Sequence, residues 1–220
     1  TDWSDEIKEC VFHSFHRGPV SVEELQLKET TGTHQRVIDM VAHELITKER
    51  IEEWKELPDV AKGVDVSRDI VKLAAIERHK NTGHVGLGFL GKYGLKKGAV
   101  ATSIGHDSHN LVIAGVTDED MVLAGNRVIE NGGGLAIALD GKVLADLPLP
   151  IGGLMADEPV EVVDEKLEHM KKLSMELGIS EDIDAFMTLA FISLPVIPKL
   201  RLNTYGVVDV EKHQVVEARF

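Results

Sequence analysis

The chain has 220 residues, 43% of them hydrophobic and 28% charged, which is enough for one sizeable buried core. Its 37 acidic residues against 24 basic ones give a formal net charge of −13, and the lysines are scattered among acids, which argues against a nucleic-acid-binding face. The longest apolar runs, such as residues 189–197 with Ser193 and Pro195, fall short of the roughly 20 residues a membrane-spanning helix needs. A lone Cys10 cannot close an internal disulfide, and no charged-then-apolar leader opens the sequence, so a cytoplasmic location is expected.

Residues 1–20 show no clean period and read as an extended lead-in, with His13 and His16 as solvated or core-edge histidines. Ser21 and Glu24 have capping-box spacing, but only about one turn of periodic sequence follows, so that helix is short. Residues 36–42 and 45–54 read as two strands, although the acidic end of the second fits a helix equally. The connection at 58–65 divides the chain into a small N-terminal β/α elaboration, 1–57, and an α/β domain, 58–220, forming one compact unit. Residues 70–76 (IVKLAAI) fit helix and strand alike. Their abrupt polar end favours a buried strand that delivers Glu77, Arg78 and His79 to a sheet edge. The plainer alternative is a surface Glu–Arg pair worth at most ~1 kcal/mol. Gly86, Gly88 and Gly91 formally make G-x-G-x-x-G, but the glycine-rich stretch that follows cannot open a helix, so 85–90 reads as a glycine-bearing strand rather than a nucleotide loop.

The centre of the chain is 92–115, where the apolar runs 99–101 and 111–114 read as buried strands around the polar string His106, Asp107, Ser108, His109, Asn110. Two imidazoles, a carboxylate, a hydroxyl and an amide can serve as acid, base, ligand or anchor, and buried polar groups must be paired, which places the string at a strand end or turn. A purely structural role fits the same spacing. No metal site is assigned, because His-x-x-His off a helix has no defined third ligand. If the string is buried, His106 or His109 is expected to bond a carboxylate or carbonyl, Asp107 to accept from a histidine or Arg78, Asn110 to bridge backbone, and the cluster to border a concave surface near 77–79.

Farther on, Thr117 to Asp120 open an amphipathic helix over 118–131, with Met121, Ala124, Gly125, Val128 and Ile129 on one stripe. Asp140-Gly141 between 135–139 and 142–147 marks a hairpin with a type I′ turn. The apolar loop 147–155 is expected to pack on the core or lie over a pocket or partner. A second helix opens near Pro159, stops at Gly178, and carries Val160, Val163, Leu167, Met170, Leu173 and Leu177 as a core stripe. Residues 186–194 read as another buried strand, and 206–216 as a short terminal pair. The fold class is therefore α/β with an α+β tendency: a mixed sheet with hairpins and at least two amphipathic packing helices. No G-x-S-x-G, G-x-x-x-x-G-K-[ST], C-x-x-C or H-x-H occurs, so self-sufficient serine, phosphoryl or thiol-redox chemistry has no support.

From about Val20 onward the sequence resembles the C-terminal domain of bacterial and archaeal adenine deaminases, in the amidohydrolase superfamily. The resemblance is carried by four blocks in order, at residues 69–110, 118–143, 147–155 and 184–202, with Ala185 and Gly105 standing where proline and alanine are usual. It implies a part in hydrolysing adenine to hypoxanthine and ammonia, a purine-salvage reaction. The divalent metal, manganese or iron, and its ligands would lie in an N-terminal (β/α)₈ barrel, the implied partner; such a barrel takes ~250 residues and cannot share 220 with this domain. It assigns no metal and no catalytic residue with certainty to this chain, and leaves homo-oligomerisation open. His106, Asp107, Ser108, His109 and Asn110 with Glu77, Arg78 and His79 become the candidate patch at the substrate or the domain interface. The alternative is a stand-alone ligand-binding or assembly module.

Overall fold

The computed structural model describes residues 3–27, 31–57 and 62–220. In chain order these form α1 (Asp5–Phe12), β1 (His34–Met40), β2 (Thr47–Glu53), β3 (Ile70–Ile76), β4 (Val85–Gly91), β5 (Ala99–Thr102), β6 (Leu111–Gly115), α2 (Asp118–Glu130), β7 (Gly134–Leu139), β8 (Lys142–Pro148), α3 (Val160–Glu176), α4 (Ala185–Ile192), β9 (Leu200–Asn203), β10 (Gly206–Asp209) and β11 (Gln214–Val216). A single 3₁₀ turn at Glu23–Leu25 contains the capping-box Glu24, and another at Trp54–Glu56 follows the acidic end of β2.

Eight strands form one sheet in the order β2-β1-β4-β3-β6-β5-β7-β8, antiparallel throughout except for the parallel β1–β4 pair. The mixed α/β class follows directly. β3 lies at the middle and is buried at every position, which is why its sequence runs apolar without alternation. Its side chains still divide by pleat: Val71, Leu73 and Ala75 enter the core beneath α3, α4 and the small sheet, while Ala74 and Ile76 enter the core beneath α2. Full burial of a side chain of this size contributes about 1.5–3 kcal/mol. Lys72, on the α2 side, is neutralised by Asp118 at 2.5 Å, with the Leu25 carbonyl and Gln26 completing the arrangement. Burial pushes the Lys72 ammonium down from its usual range and Asp118 partly offsets this; such a pair fixes the seat of α2 more than it adds stability.

The three-stranded sheet β11-β10-β9 packs over β4. That packing explains the formal G-x-G-x-x-G. A Cβ at Gly86 would collide with the Asn203 carbonyl, and one at Gly88 would lie 3.1–3.2 Å from Val207 and Leu202. Gly86 and Gly88 admit a second sheet, not a phosphate, while a Cβ at Gly91 would meet Asp39 and Arg50. β9 is an element the sequence reading lacks; β10 and β11 are its terminal pair.

α2 is capped by Thr117 and buries Met121, Ala124, Gly125 and Val128, as its stripe requires. At the following hairpin Asp140 and Gly141 have φ of 51° and 74°, the left-handed pair of a type I′ turn, and the Gly141 amide donates to Asp120 at 3.1 Å.

Three expectations are corrected. Residues 5–12 are helical rather than extended, because Ser4 accepts from the Ile7 amide and Asp5 and Glu6 occupy the first turn. Residues 185–192 form α4, not a strand: Asp184 accepts from the Phe186 and Met187 amides, and that cap decides an apolar run with no period of its own. The α3 stripe is core only toward its C-terminal end. Met170 and Leu177 are buried, while Val160 is 73% and Leu167 38% exposed. A helical period shows which face turns inward but not how far along the helix the neighbours reach. Of the expected connection at 58–65, residues 58–61 lie outside the described residues, as does Thr30; the remainder ends in the Asp65–Ile70 bridge.

Candidate functional site

The polar string forms the turn between β5 and β6, with β3 alongside β6 presenting residues 77–79 at the same edge. The structure thus brings both predicted groups together. The His79 Nε2–H donates to the Ser108 carbonyl at 2.7 Å, and the Arg78 Nε donates to the His109 carbonyl at 2.5 Å.

Arg78 is the hub. It is 1% exposed, and its guanidinium also donates to the Ser14 carbonyl and hydroxyl, each at 3.1 Å, and to the Gly152 carbonyl at 3.1 Å, while lying 4.5 Å over the Phe15 ring. One side chain therefore ties the N-terminal segment, the 105–110 turn and the apolar 147–155 loop to the end of β3. Gly153, at φ +74°, is where that loop needs glycine: a Cβ there would sit 2.8 Å from the guanidinium nitrogens. Ser103 secures the same loop, donating to the Gly153 carbonyl at 2.6 Å and accepting from the Gly134 amide at 2.7 Å. Burial pushes the Arg78 pKa down to about 10, with the Glu77 charge opposing. The expected Asp107–Arg78 pair does not form. Carbonyl oxygens from three loops solvate the cation instead, and Asp107 and Ser108 remain exposed.

Glu77 is consumed by its own turn. Its carboxylate accepts from the amides of His79, Lys80 and Thr82 and from the Thr82 hydroxyl. Burial pushes its pKa up, but these donors outweigh it and hold the group at about 2, against an ordinary 4.5. A lowered carboxylate contributes stability that is complete above the ordinary value and is lost as pH falls from 4.5 toward 2. Glu77→Gln is accordingly expected to destabilise the fold by about 1–3 kcal/mol at pH 7. In urea titrations at pH 7 and at pH 3 the gap between the two proteins should narrow at the lower pH; an unchanged gap would show that the charge is not what closes the turn.

The histidines differ from expectation as well. Among the described residues, neither the His106 nor the His109 ring is bonded to a carboxylate or carbonyl. The His106 ring lies 4.7 Å from Phe191 of α4 and 6.2 Å from the His109 ring, while its amide donates to the Ala190 carbonyl at 2.9 Å. His109 Nδ1 and Asn110 Oδ1 are shut away from solvent with no hydrogen-bond partner, so Asn110 makes no bridge through that oxygen. The 105–110 backbone is bonded by Arg78 and α4 and the His106 ring packs on Phe191, which leaves these two atoms enclosed without an internal partner. Burial, reinforced by His106, Arg78 and His79, pushes the His109 pKa down, with Asp107 opposing, so the ring is favoured neutral. A cleft of about 360 Å³ begins at Thr102 and Ile104, just before the string, and runs between α3 and α4.

Among the described residues no three His, Cys, Asp or Glu side chains converge as metal ligands. No described helix is long and apolar enough to cross a membrane. Ser14, Phe15, Ser103, Gly152 and Phe191 belong to the site without having been singled out; only Gly152-Gly153, inside an apolar loop, carried a visible signal.

Comparison with known proteins bears on this arrangement. The family model of the adenine deaminase C-terminal domain matches residues 44–214, which include the whole polar string. "Adenine deaminase 2" of Carboxydothermus hydrogenoformans is 48% identical over 185 residues, covering 82% of this chain and 32% of that protein. An adenine deaminase of Kosmotoga olearia is 49% identical over 185 residues, 84% of this chain and 32% of its own length. One of Lysinibacillus sphaericus is 40% identical over 210 residues, 94% of this chain and 36% of its own. The chain spans about a third of the length of the curated relatives it matches.

Proposed function

The chain belongs to the adenine deaminase C-terminal domain family, and on that premise we propose that it is the C-terminal part of an enzyme that hydrolyses adenine to hypoxanthine and ammonia in purine salvage. The preceding part of that enzyme, a (β/α)₈ barrel, would hold a divalent manganese or iron ion that supplies an activated water. This chain's contribution is the turn at 106–110, set at the mouth of the barrel. Residues 1–57 and 58–220 act as one unit in this reading, in the cytoplasm.

The observation that carries the reading is the convergence of His79, His106 and His109 with exposed Asp107 and Ser108 at one turn braced by Arg78. Arg78 and Glu77 spend their bonding on bracing this turn from within, which leaves its outward side chains free for a role outside the domain. Exposed Asp107 and Ser108 keep the turn open to a partner outside the domain. Glu77 and Arg78 build the platform; His79, His106, His109 and Asn110 face the barrel or its substrate.

In the complete enzyme His109→Ala and Asn110→Ala are each expected to lower kcat/KM by roughly tenfold to a hundredfold, the loss of one to two kcal/mol-scale bonds. Melting temperatures should stay close to that of the parent protein, since no internal bond is removed. Unchanged turnover per folded molecule in both variants would defeat the reading and leave the turn a packing element.

A further inference from the structure

α4 has the sequence AFMTLAFI, with Thr188 its one polar residue. A helix apolar on all sides belongs inside a protein, covered on all sides. Here only the inner side is covered: Ala185, Leu189, Ala190 and Ile192 are buried, whereas Met187 is 44% exposed and Phe186 and Phe191 only half-buried. Clefts flank this outer face. One of about 360 Å³ separates Met187 from Leu167 of α3, and one of about 140 Å³ separates it from Leu45 in the β1–β2 connection. Leu45 and Leu167 are themselves exposed. The patch runs without a break into the polar turn, because the Phe191 ring that ends it carries the His106 ring at 4.7 Å.

We propose that the outer face of α4, with the two clefts beside it, is the seat on which the preceding catalytic part of the full-length protein docks. The occupant follows from two observations. The chain matches a C-terminal domain model and spans 32–36% of its relatives' length, so in proteins of that kind about two thirds of the chain lies outside this domain. The apolar seat also adjoins the polar turn through the Phe191–His106 contact, so one approach covers α4 and reaches exposed Asp107 and Ser108 together. An apolar centre beside a polar edge is the anatomy of a protein interface. Side chains from the catalytic part would enter the clefts on either side of Met187, and the rigid helix would thereby set the distance of the polar turn from the barrel mouth.

The inference rests on the proposed function, and hydroxyl-radical footprinting of the full-length protein, read by mass spectrometry, separates the two. Met187 should be modified about fivefold or more slowly than Met175, whose exposure in this domain is comparable at 36%, with Phe191 protected and Tyr205, 68% exposed on the small sheet, freely labelled. Met187 reacting as fast as Met175 overturns the docking seat. If residues 106–110 are protected in that same experiment, the role of the turn survives; if they are labelled too, both fall. Protection of Met187 that disappears when the protein is diluted from oligomer to monomer assigns the seat to a second copy and also overturns the proposal.

Discussion

Replacing Arg78 with alanine is expected to destabilise the chain by about 3–5 kcal/mol, the range for breaking a buried charged network from one side. The sign needs argument, because removing a buried cation also removes the cost of burying it, a cost visible in the fall of its pKa to about 10. Against that gain stand the carbonyls of Ser14, His109 and Gly152, each left without its donor, and the Phe15 ring left without the group that covers it. At about 1–3 kcal/mol for each stranded acceptor, together with a cavity of guanidinium size, the losses win. Arg78→Lys should recover less than half. An ammonium is a single point with three donors and cannot reach three loops that the planar fork reaches at once. Urea denaturation gives the magnitude, and hydrogen exchange gives the location, with the amides of 105–110 and 151–155 losing protection first. A full rescue by lysine would show that charge alone, not the reach of the fork, organises the platform.

What the sequence made legible follows the range of the forces involved. α2 and the hairpin at Asp140-Gly141 are specified by local pattern, a capped 3.6-residue stripe and a dipeptide suited to positive φ, whereas β3 is told from a helix only by its abrupt polar end and β4 only by glycines that cannot open one. α4 was opaque because an apolar octet carries no period, although Asp184 was present as a cap signal two residues before Phe186. In the same way Ser4 with Asp5 and Glu6 announced α1. The meeting of 77–79 with 106–110 was readable as two polar groups ending buried strands. Their bonding was not, since it depends on Ser14 and Gly152, 64 and 74 residues from Arg78. Charge matching from sequence suggested Asp107 for Arg78, whereas the fold supplies carbonyl oxygens, which every residue carries and no sequence pattern marks.

The purified chain is expected to show no adenine turnover, even with excess Mn²⁺ or Fe²⁺. Hydrolytic deamination at neutral pH needs an activated water and a group to carry its proton to the departing ammonia, and enzymes of this general kind gain many orders of magnitude from a metal site that provides the first. Among the described residues no three metal-ligating side chains converge, and the imidazoles of His106 and His109 stand 6.2 Å apart at their ring centroids. A neutral His109 could move a proton, but general acid–base help of about 10²–10⁴-fold acting on unactivated water leaves the reaction far below any enzymatic rate. The assay is ammonia release or the absorbance change from adenine to hypoxanthine, with metal content of the protein measured in parallel. Turnover approaching that of a complete deaminase would place the catalytic centre within these 220 residues and overturn the division of labour proposed for the domain. Turnover that appears only when the preceding barrel is added, and that falls with His109→Ala or Asn110→Ala, would assign the chemistry to the barrel and the completion of its site to this turn.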